Sequence, residues 1–264
     1  MKKLIIIGVG AQGSTIAKRM DGHPGIAEII CADYDRKAAE ALSATVAKAR
    51  PLQLDAGRVE NIIEAARGCD LIVNGLPLEY NLRVMEAALA VNAAYFDMAG
   101  PMEEIGFIES YQLLFSVWHE RFKSQGLTAL VGGGSSPGLA NLIARESVEK
   151  MDRCESISIC IYENVMTKRF TPFWWSPEVA FWDMAYKTFR FENGKHVIDK
   201  PFSRPVSMKL EGIDRKVRLV DHEHDEPVTM GILADSVLKG VKNVEFKYGG
   251  YGVKLSELLY KMGL

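Results

Sequence analysis

Over the first 130 residues, short apolar runs alternate with segments whose apolar residues recur every three or four positions. The runs are Leu4–Ile7, Ala27–Asp33, Pro51–Leu54, Asp70–Asn74, Ala94–Met98 and Leu127–Val131. They are too short for helices and are mostly apolar on both sides of the pleat, which predicts strands buried on both faces. Between them the periodicity predicts helices. One starts at an Asp35 cap and runs to about Lys48, with Ala38, Ala39, Leu42 and Val46 on one side; the others are Val59–Arg67, Asn81–Val91 and about Glu109–Gln125. Alternation at this spacing predicts right-handed βαβ units and a doubly wound parallel sheet.

The pattern changes near Asp152. In Cys154–Glu163, Ile157, Ile159 and Ile161 alternate with Ser156, Ser158 and Cys160, the period of a half-buried strand in an antiparallel sheet. Asn193-Gly194 between alternating runs predicts a hairpin turn. Helices are predicted at Glu178–Phe189, Thr229–Lys239 and Lys254–Met262, and a short strand at Glu245–Tyr248. Gly249-Gly250-Tyr251-Gly252 reads as a flexible turn.

The most informative chemistry lies where the first run ends. Gly8-Val9-Gly10-Ala11-Gln12-Gly13 joins the apolar run to an amphipathic segment, Ser14–Met20. Strand, glycine turn and helix in that order predict a dinucleotide-binding element. Gly8 permits the tight turn, Gly10 lets backbone approach a pyrophosphate, and Gly13 lets the helix pack close to the strand. Amides at the helix start, including those of Ala11 and Gln12, then face the phosphates. Asp33 lies twenty residues beyond Gly13, where an acid accepts hydrogen bonds from the adenosine ribose and repels a 2′-phosphate. This favours NAD. Arg36, three residues on, is suited to a 2′-phosphate, so NADP stays open. The fold class expected is therefore α/β: a Rossmann-type doubly wound sheet over residues 1–151, then an α+β domain with an antiparallel sheet over 152–264.

Composition narrows the function. The 264 residues are 48% hydrophobic and 25% charged with a net charge of −2, so nothing points to a nucleic-acid or membrane-surface partner. No apolar run has the length of a membrane span. Residues 1–20 do not read as a signal peptide, because Gly-x-Gly falls where cleavage would occur. Cys31, Cys69, Cys154 and Cys160 are scattered and read as buried free thiols of a reducing cytoplasm.

Other candidates are weighed against plainer roles. Gly75-Leu76-Pro77 follows the fourth strand at the edge where open α/β sheets bind ligands. Asp97 ends the fifth strand among apolar neighbours, as a proton carrier or a structural cap. Ser136 reads as a helix cap with Pro137 at the first helical position, and Leu139, Leu142 and Ile143 continue one face of that helix. The resulting glycine-rich turn is a second anion-binding helix start or a crossover between domains. Lys168–Pro177 is an aromatic and basic knot, with Lys168 or Arg169 able to hold a substrate carboxylate, or else part of a core or dimer contact. His222 and His224 share a strand face and could bind zinc, but no third ligand stands at motif spacing; a solvated acidic strand end is the better reading and no metal is expected.

Several separated segments resemble the saccharopine dehydrogenase family, in its reductase and lysine-dehydrogenase branch. They are IIIGVGAQGSTIA, ADYDRKAAE, VNGLPLEYNLRVMEAALAVNAAYFDMAG, GGGSSPGLANLIA and HEHDEPVTM. The resemblance covers about residues 1–150 closely and the remainder loosely. It implies a nicotinamide-dependent oxidoreductase acting at a C–N bond of an amino-acid or opine-type substrate. It implies a homodimer as well. Cofactor positions carried over are Gly8, Gly10, Gly13 and Asp33. Asp55, Ala56, Leu76 and Pro77 match segments flanking the adenine and nicotinamide. Tyr80 and Asp97 fall where the family places polar residues near substrate, and Glu226 where it faces a cleft. Family members usually run past the point where this chain stops, so a fragment or shortened member is expected. The alternative function is a dinucleotide-binding module or partner subunit without catalysis.

Overall fold

The structure is a computed structural model and describes residues 1–101, 104–164, 168–169 and 177–263. The chain divides into two compact units, Met1–Gly138 and Leu139–Leu264.

In the first unit the elements are β1 (Lys2–Ile7), α1 (Ala11–Asp21), β2 (Ile26–Asp33), α2 (Arg36–Ser43), β3 (Ala49–Gln53), α3 (Val59–Ala66), β4 (Leu71–Asn74), α4 (Asn81–Ala90), β5 (Ala94–Phe96), α5 (Phe107–Leu113), α6 (His119–Ser124) and β6 (Ala129–Leu130). A π-helical turn, Leu114–Trp118, links α5 to α6. The predicted Glu109–Gln125 helix is thus one rod with a widened middle. All six strands pair parallel in the order β3-β2-β1-β4-β5-β6, the Rossmann arrangement. Central β1 hides Leu4, Ile5, Ile6 and Ile7 almost completely. Leu4 and Ile6 pack with Ile29, Ala17, Leu42 and Val73 in one core. Fully burying a side chain of that size stabilises by about 1.5–3 kcal/mol, which makes β1 the mechanical centre of the unit.

Helix α2 ends at Ser43, short of the predicted Lys48. The Asp21 carboxylate accepts the amides of Ala47 and Lys48 and pins that stretch as a turn. Val46 still reaches the core, from a loop instead of a helix.

The second unit contains α7 (Leu139–Glu149), β7 (Ser156–Tyr162), α8 (Pro177–Ala185), β8 (Thr188–Glu192), β9 (Lys195–Asp199), β10 (Val206–Lys209), β11 (Lys216–Asp221), α9 (Asp225–Ile232), α10 (Ala234–Val237), β12 (Asn243–Gly249) and α11 (Tyr251–Lys261). Its sheet runs β10-β11-β12-β8-β9 in antiparallel pairs, with β7 added parallel to β12 along its whole length. The alternating strand at Ser156–Tyr162 is therefore present but pairs parallel, not antiparallel. Its register pairs Ile157 with Val244 and Ile159 with Phe246 on the core face, and Ser158 with Glu245 on the other.

The units divide before α7, whereas the sequence pattern sets the boundary near Asp152. The reason is packing: Ala144 and Val148 of α7 join the core of Phe191, Met230 and Val244. The expected apolar face of that helix is different, because Leu139, Leu142 and Ile143 are exposed. Phe189 belongs to β8, not to a helix. Asn193 and Gly194 both take positive φ and turn the β8–β9 hairpin as predicted. The helix expected from Thr229 starts earlier, at Asp225, with Pro227 in its first turn, where the missing N–H costs nothing. Gly249 completes β12 and Tyr251 opens α11, so the stretch predicted as a flexible turn is almost all regular structure.

Candidate functional site

The carboxyl ends of β1, β2 and β4 converge on the glycine turn. Gly8 has φ +88°, and a Cβ there would lie 2.8 Å from Gly75 O, so only glycine fits this crossing of two loops. A Cβ on Gly13 would overlap Gly8 O, which is how close α1 approaches β1. Gly10 is the opposite case: a Cβ there meets nothing within 4 Å. Space beside an exposed backbone, at the start of a helix, is what a pyrophosphate needs.

Helix α1 offers its N-terminus without a competing cap. Gly10 precedes it, no side chain caps it, and its first turn holds no acid. Ser14 N–H makes the first backbone bond, to Gly10 O at 2.9 Å, so the amides of Ala11, Gln12 and Gly13 precede the intrahelical ladder. With the positive end of the helix dipole, they form an anion-binding end. The residues present therefore fit a dinucleotide diphosphate.

Asp33 ends β2 beside this turn. Its carboxylate accepts from Val9 N–H at 2.8 Å and from Asp35 N–H at 3.0 Å. Each oxygen keeps a further lone pair for a ribose hydroxyl, but the residue also staples the glycine turn to β2. Beyond it, Tyr34, Asp35, Arg36, Lys37, Glu40 and Gln53 line an open concavity. Arg36 is held by Glu40 through its Nε at 2.7 Å, and Asp35 caps α2 by accepting from Lys37 N–H. Asp55 is exposed and closes a local turn on Gly57 N–H. Ala56 O accepts from Arg83 at 3.4 Å.

The edge beyond β4 and β5 is fixed by a buried polar network that the sequence reading missed. Asn74 Nδ2 donates to Asn81 Oδ1 at 2.7 Å and to Tyr95 Oη at 3.1 Å. Tyr95 Oη donates to Asp97 Oδ2 at 2.8 Å, Asn81 Nδ2 to the same oxygen at 3.3 Å, and Gly132 N–H to Asp97 Oδ1 at 2.7 Å. Burial and the Asp97 charge push the Tyr95 phenol well above its ordinary range. Leu76 N–H in turn donates to Asn74 Oδ1. One network thus ties the Gly75-Leu76-Pro77 loop to the turn after β6. Asp97, 2% exposed at its hub, has the surroundings of a structural cap. The legible signal was polar Asn74 closing an apolar strand and Asn81 opening a helix seven residues later.

Tyr80 closes a 3-10 turn, Leu78–Tyr80, and is half-buried, with the Arg83 guanidinium 5.2 Å from its ring centroid. The glycine-rich turn after β6 differs from expectation. It closes on itself through Gly134 N–H to Pro137 O, and α7 begins only at Leu139. Ser136 is half-buried in that turn and does not stand at the helix cap, because Gly138, at φ +123°, intervenes. Of the aromatic knot, residues 170–176 lie outside the described residues; Lys168 and Arg169 are exposed.

The run His222–Glu226 overturns its reading as a solvated strand end. His222, Glu223, Asp225 and Glu226 are all buried, Glu226 completely. The His224 ring stacks on Phe246 with centroids 3.9 Å apart, and its Nδ1 bonds the Glu226 carboxylate. That carboxylate raises the His224 imidazolium to about 9, against the cost of burial. His222 is lowered to about 4 by burial and by His224. Among the described residues no group of three His, Cys, Asp or Glu side chains could hold a metal ion. Among them also, no helix is long and apolar enough to cross a membrane.

Residues 4–130 match the family model described as the saccharopine dehydrogenase NADP binding domain. Over 244 residues the chain is 29% identical to carboxyaminopropylagmatine dehydrogenase of Synechocystis sp., a match covering 88% of this chain and 60% of that relative. The fold is that of apo saccharopine dehydrogenase (L-Glu forming) from Saccharomyces cerevisiae, with TM-score 0.75 and 12% identity over 100% of this chain and 58% of that one. It is also that of the homospermidine synthase of Legionella pneumophila in complex with NAD, with TM-score 0.73 and 13% identity over 99% of this chain and 68% of that one. The chain thus spans about 60% of the length of the curated relative it matches. Residues 4–130 thus match the dinucleotide-binding domain of the saccharopine dehydrogenase family, and the chain as a whole shares the fold of a saccharopine dehydrogenase.

Proposed function

We propose that the chain is, or forms part of, an NAD(P)-dependent oxidoreductase acting at a C–N bond of an amino-acid-derived or opine-type substrate. The observation that carries this reading is the uncapped start of α1 behind a glycine turn, with open space over Gly10. The family match to an NADP binding domain and the dehydrogenase names of two relatives support it.

When bound, the cofactor supplies hydride acceptance or donation. The chain supplies the rest. The amides of Ala11, Gln12 and Gly13 hold the diphosphate. Asp33 reads the ribose against Arg36 and Lys37, while Asp55 and Ala56 flank the adenine side. Leu76 and Pro77 form the nicotinamide-side loop, fixed from below by Asn74, Asn81 and Asp97. Asp97 acts as a positioning residue, since its two oxygens already accept three hydrogen bonds. Tyr80, half-exposed beside Arg83, is the proton carrier of this reading. Ser136 and Arg169 are its substrate contacts. A homodimer in the cytoplasm belongs to the same proposal; the exposed face of Leu139, Leu142 and Ile143 supports the dimer, and light scattering tests it.

Isothermal titration with NAD, NADH, NADP and NADPH tests the core of the proposal. Saturable binding of at least one is expected, followed by turnover with some member of an amino-acid and imino-acid panel. No binding of any of the four removes the proposal. Binding without turnover leaves the dinucleotide-binding module in its place.

A further inference from the structure

The concavity beyond Asp33 holds a choice that the cofactor reading leaves open. It lies where β2 and β3 end and α2 begins, and its volume is about 820 Å³. That is the size of a small-molecule site, roughly 300–1,000 Å³. Tyr34 lines it and is 80% exposed, so an aromatic face is offered to whatever enters. Gln53 Nε2 donates to Tyr34 O at 3.2 Å and ties the end of β3 to this wall.

The charges around the concavity are mixed. Arg36 and Lys37 line it together with Asp35 and Glu40, and Asp33 ends the strand before it. Bases here are what a ribose 2′-phosphate needs. Arg36 is already engaged, however. Glu40 follows it by one helical turn, and its Oε1 accepts from Arg36 Nε at 2.7 Å. Two effects of Glu40 then oppose each other. Holding Arg36 by Nε leaves the terminal nitrogens of its fork unengaged among the described residues, which orients them for a phosphate. Against this, the Glu40 carboxylate neutralises the guanidinium and repels a group that carries about two negative charges. The magnitudes decide. Both side chains are well exposed, at 71% and 47%, and an exposed i,i+4 pair orders its partners only weakly. Repulsion between a single and a double charge a few ångströms apart is the larger effect, even after screening by salt.

We infer that Glu40 is a specificity-determining residue, which turns the nucleotide site from NADP toward NAD by withholding Arg36 from the 2′-phosphate. The inference deepens the oxidoreductase proposal and rests on its dinucleotide site. It places part of the cofactor choice on α2, apart from Asp33, whose oxygens are shared with the backbone of the glycine turn.

The test is titration calorimetry on the full chain with NAD and with NADP, in the parent and in Glu40→Gln, which keeps the length of the side chain. Glu40→Gln is expected to bind NADP about threefold to tenfold tighter and to raise the ratio of NADP to NAD affinity by that factor. Glu40→Ala, which also suits a helix, should show the same rise. The gain should shrink at 1 M salt, where the screening length falls to about 3 Å. Adding Arg36→Ala to Glu40→Gln should bring the ratio back near that of the parent, because the two removed charges cancel as they do when paired. An unchanged ratio, or NADP taken by neither chain while NAD binds, overturns the inference and leaves the cofactor proposal standing. A ratio that falls makes Glu40 a positioner of Arg36 for the phosphate and overturns it as well. If neither the parent nor the variants take NAD or NADP, the cofactor proposal itself fails, and the inference with it.

Discussion

Asp33 is where cofactor choice and loop structure meet, so Asp33→Ala separates the two. In the parent chain its carboxylate takes Val9 N–H at 2.8 Å and Asp35 N–H at 3.0 Å. Val9 is 8% exposed, so its amide loses a partner that water does not easily replace. Leaving such a donor unsatisfied costs about 1–3 kcal/mol. The Asp35 amide is exposed and finds water, so it adds little. The variant should therefore melt lower, and both NAD and NADP should bind more weakly, because the turn carrying Gly8 and Gly10 loosens. On top of this shared loss, NAD loses a hydrogen bond from its ribose to a charged acceptor, while NADP is relieved of a negative neighbour. A difference of about 1.4 kcal/mol between them is tenfold in affinity. The expected result is a ratio of NADP to NAD affinity raised about tenfold. Calorimetric titration of both forms, beside a melting curve, measures both parts. Equal weakening of NAD and NADP would refute ribose reading and leave Asp33 as a staple of the glycine turn.

The remaining predictions use the same geometry. Gly10→Ala has room for its methyl and should change stability by no more than about 0.5 kcal/mol while weakening dinucleotide binding; Gly13→Ala pushes α1 from β1 and should destabilise by about 1–3 kcal/mol. Melting curves and titrations of the pair check this contrast, and a fully stable Gly13→Ala would contradict the packing. Asn81→Ala removes donors from Asp97 and Ala99 O and should cost about 1–3 kcal/mol, measured by denaturant unfolding. His224 is raised to about 9, so its share of stability is complete below pH 6.5 and is lost as pH rises through 9; Glu223, also raised, acts in the same direction. His222 is lowered to about 4, so its share is complete above pH 6.5 and is lost as pH falls through 4. Melting temperature should decline on both sides. His224→Gln should flatten the alkaline side, a change on the order of a few kcal/mol; an unaltered alkaline slope would show that this imidazole is not the group responsible.

The first unit was legible because its determinants are local. Four consecutive apolar residues, a glycine turn and an amphipathic helix lie within twenty residues, and each constrains the next. Chain order and the handedness of βαβ units then leave few sheets to choose from. Errors arose where a distant residue decides. Helix α2 is cut short by Asp21, 26 residues upstream of Ala47. Strand β7 is parallel because its partner is β12, far along the chain, and nothing in its alternation reveals direction. The Asn74–Asn81–Tyr95–Asp97 network escaped notice for the same reason. Each member is ordinary in its own element, and only the fold brings the four together.

His222–Glu226 shows the limit of charge as a guide to exposure. Five titratable residues in a row read as solvated because each one, taken singly, would be expensive to bury. Burial is decided by what arrives against them. Phe246 and Tyr248 of β12 place their rings on the two histidines, and the first turn of α9 folds Asp225 and Glu226 inward. Part of the cost is then met inside the chain, by the His224–Glu226 pair. Glu223 is the part not met. Among the described residues its carboxyl has no hydrogen-bond or ion-pair partner, and burial pushes it well above its ordinary range.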